Sequence, residues 1–219
     1  MNLALDNRAL ARQPLQQRSQ DRFERVLEES EVLLLETGLS GFSIPELAKR
    51  LDWPRASIYK YFPTHFAILN ELVRRYYAEL EGLLTRKAAR TGELNWQQSV
   101  EAFVNTAARF YDANPVCRLL LLGGAITDDA YRAQEITIQH LGKLTRTLLM
   151  RIGVELPEAP LDAATLAVDI GTTCFRLSFF KHKQITREYR EEAAYAMTAY
   201  LSRYITVASK SRRSSPSGS

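Results

Sequence analysis

The chain has 219 residues, of which 46% are hydrophobic and 25% are charged, proportions that exclude a disordered or collagen-like protein. This length allows one large domain or two small ones, with a core that needs no metal or disulfide. No window approaches the roughly 20 uninterrupted apolar residues of a membrane span, and the first residues lack the basic and apolar regions of a signal peptide. Two cysteines make no disulfide framework. We therefore expect a cytoplasmic protein with reduced thiols and no membrane partner.

The net charge of +4 is placed unevenly. Residues 203–219 contain four basic residues and no acid, so the rest of the chain is balanced. Within residues 49–65 the one acid is Asp52. The basic residues of that segment are Lys49, Arg50, Arg55 and Lys60. A compact basic patch attracts phosphates, whereas the alternative is a solvated helix face, and charge alone favours neither.

Hydrophobic spacing predicts an all-α fold of about nine helices, because the alternation and paired turn signals of a sheet are missing. Residues 1–17 are predicted to form a flexible arm, and residues 208–219 a disordered tail. Caps, glycines and prolines place the ends of the helices. The predicted helices cover residues 19–36, 43–51, 55–62, 64–90, 95–113, 115–122, 127–152, 161–181 and 186–207.

The second and third predicted helices outline a helix-turn-helix. Ser43 can cap the second helix, Pro45 suits its first turn, and Glu46 follows three residues after Ser43 as in a capping box. Apolar side chains would pack both helices against the first one; they are Ile44, Leu47, Ala48, Ile58 and Phe62. The opposite face of the third helix would carry donors to phosphates and base edges. Those donors are Arg55, Ser57, Tyr59, Lys60 and Tyr61.

The run from Ser43 to Phe62 resembles the DNA-binding signature of TetR-type transcriptional regulators and matches it without a gap. The following segment, residues 63–69, fits the entry of such domains into their fourth helix. The close match covers about residues 20–70. The resemblance implies a helix-turn-helix domain at residues 18–65 and a helical effector-binding and dimerisation domain at residues 66–207.

Residue matches and exposed amides together give a set of candidate DNA contacts. They are Ser43, Arg55, Ala56, Ser57, Tyr59, Lys60, Tyr61, Thr64 and His65. Four positions depart from the family pattern. Asp52 stands where glycine is usual and must supply the turn itself, and Ala56 stands where glycine is frequent. His65 replaces a usual lysine, and Tyr61 replaces a frequent histidine.

The resemblance also implies a homodimer on a pseudo-palindromic operator and a pocket for a small-molecule effector. The helices near 161–181 and 186–207 would form the dimer interface, and the first of these is apolar almost all round, so it needs cover on every side. Arg176 within it would pair with a carboxylate or face an anionic effector. Candidate effector contacts are Phe103, Tyr111, His140, Phe175 and Arg176.

We expect a DNA-binding transcriptional regulator, a repressor released from its operator by an effector. The alternative is an all-helical carrier or enzyme whose basic patch is incidental. No Walker loop or nucleophile motif is present, and His65, His140 and His182 lack metal-ligand spacing. The sequence therefore predicts no catalytic residue, no metal and no cofactor.

Overall fold

The computed structural model describes residues 7–90, 94–123 and 128–211. These residues form nine α-helices and a short 3₁₀ turn at Asn7–Ala9, and they contain no strand, so the predicted all-α class is confirmed. None of their helices combines the length and apolar character needed to cross a membrane. The helices are α1 Gln17–Gly41, α2 Ile44–Leu51, α3 Arg55–Tyr59, α4 His65–Ala89, α5 Trp96–Ala113, α6 Pro115–Leu122, α7 Asp128–Met150, α8 Ala163–His182 and α9 Arg187–Ser211.

The predicted end of the first helix coincides with a kink inside α1. Gly38 has φ 66° and ψ −175°, a left-handed φ that glycine adopts without strain. One more turn follows and ends at Gly41. The sequence therefore predicts the break at Gly38 correctly, but it does not predict the additional helical turn that ends at Gly41.

The last helix differs from its predicted bounds at its carboxyl end. It extends to Ser211, four residues past the predicted end, so residues 208–211 of the predicted tail are helical. Residues 212–219 lie outside the described part of the chain, as does Thr127, the predicted cap of α7.

The described residues cluster into two compact units. The first lies within Met1–Ala78 and Asn114–Glu135, and the second within Glu79–Ala113 and Ile136–Ser219. The boundary between them falls inside α4, and α6 clusters with the amino-terminal helices. The family resemblance implies domains by function, at residues 18–65 and 66–207, and these limits remain a prediction.

The first unit is built around apolar side chains of α1, α2 and the segment after α3. Phe23 of α1 stacks on Phe62 with ring centroids 4.6 Å apart, and α6 adds Val116 to the same core. Burying one such side chain stabilises the fold by roughly 1.5–3 kcal/mol. The predicted packing residues of the helix-turn-helix are all buried here: Ile44, Leu47, Ala48, Ile58 and Phe62.

An ionic cluster joins α1 to α4 within the first unit. Glu71 is only 4% exposed and accepts hydrogen bonds from Arg74 at 2.7 Å and Arg75 at 3.1 Å. Arg75 also donates to Glu24 of α1 at 2.7 Å. Burial acts to raise the pKa of Glu71, but the two guanidinium groups hold it below its usual value. The pairing keeps a buried carboxylate charged and fixes α4 against α1.

Candidate DNA-binding surface and ligand cavity

The turn of the helix-turn-helix forms as the sequence predicts. The Ser43 side chain accepts a hydrogen bond from the Glu46 amide at 3.4 Å and so caps α2. At the other end Asp52 takes left-handed dihedrals, φ 52° and ψ 44°, and the Trp53 amide donates to the Ala48 carbonyl at 3.0 Å. Asp52 therefore performs the role that glycine has in the family pattern.

Helix α3 presents a polar face to solvent because Ile58 anchors its other side in the core. Arg55, Ala56, Tyr59 and Lys60 are exposed and Ser57 is half-buried. We call these five residues the recognition face. Lys49 of α2, also exposed, lies with Arg55 in the wall of an open depression between α2 and α3. Lys49 and Arg55 form no ion pair with a described residue, so both charges face solvent.

Arg50 does not belong to this basic surface, although sequence spacing places it there. It bonds Glu29 at 3.4 Å and Glu36, both on α1, and lies 4.0 Å from Glu46. The hydrogen bond to Glu36 raises the pKa of Arg50 further. Its charge is neutralised within the protein. Of the basic residues in segment 49–65, those that are exposed and unpaired with any described acid are therefore Lys49, Arg55 and Lys60.

The prediction that Tyr61 lies on the outer face is wrong. Tyr61 is 5% exposed, and its ring packs edge-on against Phe23 at 6.0 Å. The reason is local: the Tyr61 amide donates to the Ile58 carbonyl, an i to i+3 bond that winds the chain more tightly than an α-helix. The extra rotation turns the tyrosine inward, with the Lys60 ammonium above its ring at 5.4 Å.

At the start of α4, Thr64 and His65 are half-buried. The Thr64 hydroxyl accepts from the Ala67 amide at 3.2 Å and donates to the Arg8 carbonyl at 3.0 Å, so its proton is used inside the protein. The His65 ring lies against Phe66 at 3.9 Å, and burial lowers the pKa of His65. His65 is therefore mainly neutral at pH 7, unlike the lysine usual in the family.

Residues 8–12 are attached to the helix-turn-helix unit, whereas sequence composition predicts a loose arm over residues 1–17. Besides the Thr64 bond, the Arg12 amide donates to the Tyr61 carbonyl at 2.8 Å. Asn70 of α4 donates to the Ala9 carbonyl at 2.9 Å. On the arm itself the bonded groups are two backbone carbonyls and one backbone amide. The side chains of residues 8–12 therefore give no sign of this attachment in the sequence.

The second unit contains a largely apolar cavity with about 460 Å³ of empty space, its mouth included. Three predicted effector contacts, Phe103, Tyr111 and Phe175, lie in its wall. None of the lining residues that the structure describes is charged. The other lining residues are Leu80, Leu84, Val104, Ala107, Leu141, Thr145, Val168, Gly171, Thr172 and Met197.

The other two predicted effector contacts lie outside this lining. His140 is exposed on α7. Arg176 donates to the Thr173 hydroxyl at 2.8 Å and lies 3.8 Å from the Asp169 carboxylate. Of the two alternatives for Arg176, the structural pair is the one observed, because Asp169 lies two turns earlier on the same helix. Among the described residues, the cavity wall therefore offers no cation to an anionic ligand.

The residues that the structure describes hold no group of three His, Cys, Asp or Glu side chains that could bind a metal ion.

The sequence matches the models of two protein families. "Bacterial regulatory proteins, tetR family" matches residues 26–72, and "Tetracyclin repressor-like, C-terminal domain" matches residues 95–201.

The chain belongs to the TetR family. One curated relative of this TetR-family chain is the HTH-type transcriptional repressor NemR of Escherichia coli K12, 28% identical over 107 residues. That match covers 49% of this chain and 51% of NemR, so the chain spans about half the length of this relative.

Solved structures support the TetR-family fold. A TetR-family transcriptional regulator from Streptomyces coelicolor superposes with a TM-score of 0.63 at 22% identity, covering 83% of this chain and 98% of that one. Thermus thermophilus FadR, a TetR-family transcriptional repressor in complex with lauroyl-CoA, gives a TM-score of 0.61 at 18% identity, covering 81% and 92%. At these identities the likeness concerns the fold.

Proposed function

We propose that this TetR-family chain is a sequence-specific DNA-binding transcriptional regulator, and that it represses until a small-molecule effector releases it from its operator. The recognition face is the observation that carries the proposal. Its side chains are held outward on α3 by the buried Ile58, next to cations that no described acid neutralises. Repression is supported by the description of NemR as a repressor.

In the proposed complex α3 enters the major groove, as recognition helices do. Arg55 would bind a guanine edge through two hydrogen bonds, while the hydroxyls of Ser57 and Tyr59 reach bases or phosphates. Lys49 and Lys60 would bind phosphates. Buried Tyr61 would support α3 from the core side instead of touching DNA.

A homodimer is part of the proposal because α8 and α9 leave large apolar side chains exposed in the single chain. Phe180 of α8 is 76% exposed and Tyr195 of α9 is 72% exposed. A second copy would cover them through an isologous interface. Two recognition helices then read a pseudo-palindrome, with half-sites about 34–36 Å apart or a multiple of that distance.

We infer that the cavity of the second unit holds the effector, and that this effector is uncharged and largely apolar. Burying an ionised group without a partner is costly, and the described part of the lining contains no charged residue. The hydroxyls of Thr145 and Thr172 make no hydrogen bond to another described residue, so they are available to a polar group of the ligand. The Thermus FadR complex contains an acyl-CoA, whose phosphates would need cations that this lining lacks.

Selection of genomic fragments by the purified protein, followed by mobility-shift titration, tests the regulator. We expect salt-dependent binding with a plateau at two subunits per site. Arg55→Ala should cost roughly 1–3 kcal/mol and relax the base preference at one position, and Tyr59→Ala should weaken binding without unfolding the protein. Arg109→Ala, an exposed arginine of α5, is the matched control and should bind as the wild type does.

Two results would contradict the proposal. If the wild type retains no fragment at low ionic strength, the carrier or enzyme alternative gains. If Tyr59→Ala binds the selected fragments as tightly as the wild type, α3 is not the recognition helix.

A further inference from the structure

The segment of residues 8–12, which we call the docked arm, is held at three points. Its contacts are the Arg12 amide to the Tyr61 carbonyl, the Arg8 carbonyl to the Thr64 hydroxyl, and the Ala9 carbonyl to Asn70. Ala9 is 3% exposed. Three backbone anchors and a buried side chain give this segment a fixed place in the first unit.

Tyr61 and Thr64 lie at the corner where α3 leads into α4, and Asn70 lies in the second turn of α4. Tyr61 directly follows Lys60, and Tyr59 precedes it by two residues. The Arg12 amide lies 2.8 Å from the Tyr61 carbonyl oxygen, so the Arg12 backbone runs beside the end of the recognition face. The docked arm is therefore continuous with the surface that we propose for DNA binding.

The side chain of Arg12 is exposed and forms no ion pair with any residue that the structure describes. This distinguishes it from Arg50, whose charge is taken up by acids of α1. An unneutralised guanidinium beside a DNA-binding helix meets a strongly anionic neighbour when the duplex is bound. Charge complementarity and continuity with the recognition face thus favour one occupant, the operator.

We propose that the docked arm is a second DNA-contacting element, in which Arg12 binds backbone phosphates flanking those next to α3. The inference rests on the proposed function. Because the arm is anchored, Arg12 reaches only what lies within one side-chain length of the α3–α4 corner. Beside a helix in the major groove that surface is the sugar-phosphate backbone. The contact adds affinity and footprint length without adding base preference.

Arg12→Gln tests the proposal by removing the charge and keeping the anchoring amide. The full-length variant is titrated with the selected operator and with an operator carrying one altered base, at several salt concentrations. We expect equal loss on both DNAs and a fall of about 1 per subunit in the slope of log affinity against log salt. Hydroxyl-radical protection should retreat at the outer edges of the operator.

Asn70→Ala and Arg109→Gln complete the comparison. Asn70→Ala keeps every charge but removes one anchor, so it should weaken binding less than Arg12→Gln does. Arg109→Gln removes an exposed charge from α5 and should change neither slope nor footprint. Arg12→Gln could leave the salt slope and the footprint unchanged, as Arg109→Gln should, while Arg55→Ala still weakens binding. The docked arm would then have a structural role only, and the proposal of a DNA-binding regulator would be kept. If the wild type binds no DNA, both proposals fall.

Discussion

Asp52 sets the angle between α2 and α3 through its own backbone. Its φ of 52° lies in the left-handed region, where a Cβ crowds the following carbonyl. Aspartate tolerates this region better than most residues because its short polar side chain can bond locally. The position of every side chain on the recognition face depends on this one residue.

Substitutions at Asp52 should separate backbone strain from loss of charge. Asp52→Val should lower the free energy of unfolding by about 1–2 kcal/mol, because a β-branched residue is strained at positive φ. Asp52→Gly removes the same charge but accepts the dihedral, so it should stay close to the wild type. Urea unfolding of both variants measures the difference, and equal losses would show that the carboxylate, not the backbone, matters there.

At the residue scale, the sequence predicts those features that depend on hydrogen bonds or dihedral angles within a few residues. Ser43 caps α2 and Asp52 makes the turn because both act on amides or dihedrals within a few residues. Sequence spacing misplaces Arg50 because its partners Glu29 and Glu36 lie on another helix, and no local pattern records that pairing. It misplaces Tyr61 because α-helical spacing does not hold past Ile58, where the chain winds more tightly.

Helix α8 begins at a partly buried ionic junction, in which Arg146 is buried and Asp162 is half-buried. Asp162 accepts from the Thr165 amide at 2.9 Å and from Arg146 of α7 at 2.6 Å. Burial acts to raise the pKa of Asp162, but the Thr165 and Arg146 interactions hold it below its usual value. Glu158 also binds Arg146, at 3.0 Å, but is 71% exposed. The two carboxylates share one guanidinium in very different surroundings.

Removing these carboxylates one at a time should have unequal effects. Asp162→Ala leaves Arg146, 7% exposed, without a half-buried partner and removes the cap of α8. Because water partly screens this pair, the substitution should cost about 1–2 kcal/mol of unfolding free energy. Glu158→Ala removes a solvent-screened partner and should cost less than about 1 kcal/mol. Thermal and urea unfolding compare the two variants, and equal costs would mean that neither the cap nor the lower exposure of Asp162 contributes to stability.

At the element scale, apolar spacing predicts the helices better than it predicts their faces. On α4 the structure buries Leu80 and Leu84, and it also buries Glu71. Glu71 is buried because Arg74 and Arg75 pair with it. Polar burial of this kind depends on which charges meet after packing, so periodicity of apolar residues cannot show it.

The whole molecule divides into a unit with a recognition face and a unit with an apolar cavity. Family resemblance and aromatic spacing predict Phe103, Tyr111 and Phe175 as cavity residues, and the structure brings them together. It does not bring His140 or Arg176 to the same wall. Helical spacing places a residue on a face, but which faces surround a cavity is decided by the packing of several helices.

We expect the cavity to bind uncharged ligands more tightly than anionic ligands of the same length. Displacement of the uncharged dye Nile red tests this at pH 8. We expect 1-decanol to displace the dye at a concentration more than roughly tenfold lower than decanoate does, because the carboxylate would be buried without a partner. Equal displacement would overturn the assignment of an uncharged effector.

Gly171→Ala tests whether the dye occupies this cavity. A Cβ at Gly171 would lie 2.5 Å from the Met197 sulfur, so the methionine would shift and change the cavity wall. Dye affinity should fall while operator affinity is kept. Gly82→Ala is the matched control, because its Cβ would meet only the end of the Arg86 side chain, at 3.1 Å. Unchanged dye binding by Gly171→Ala would place the dye elsewhere.

Helix α4 starts at His65 in the first unit and supplies Leu80 and Leu84 to the cavity wall. If occupancy of the cavity weakens operator binding by some factor, thermodynamic linkage requires the operator to weaken effector binding by the same factor. A chain on DNA is then a poorer receptor than a free chain. Free copies of the protein would bind the effector first, and a growing pool of free protein would raise the dose needed to switch on a repressed gene.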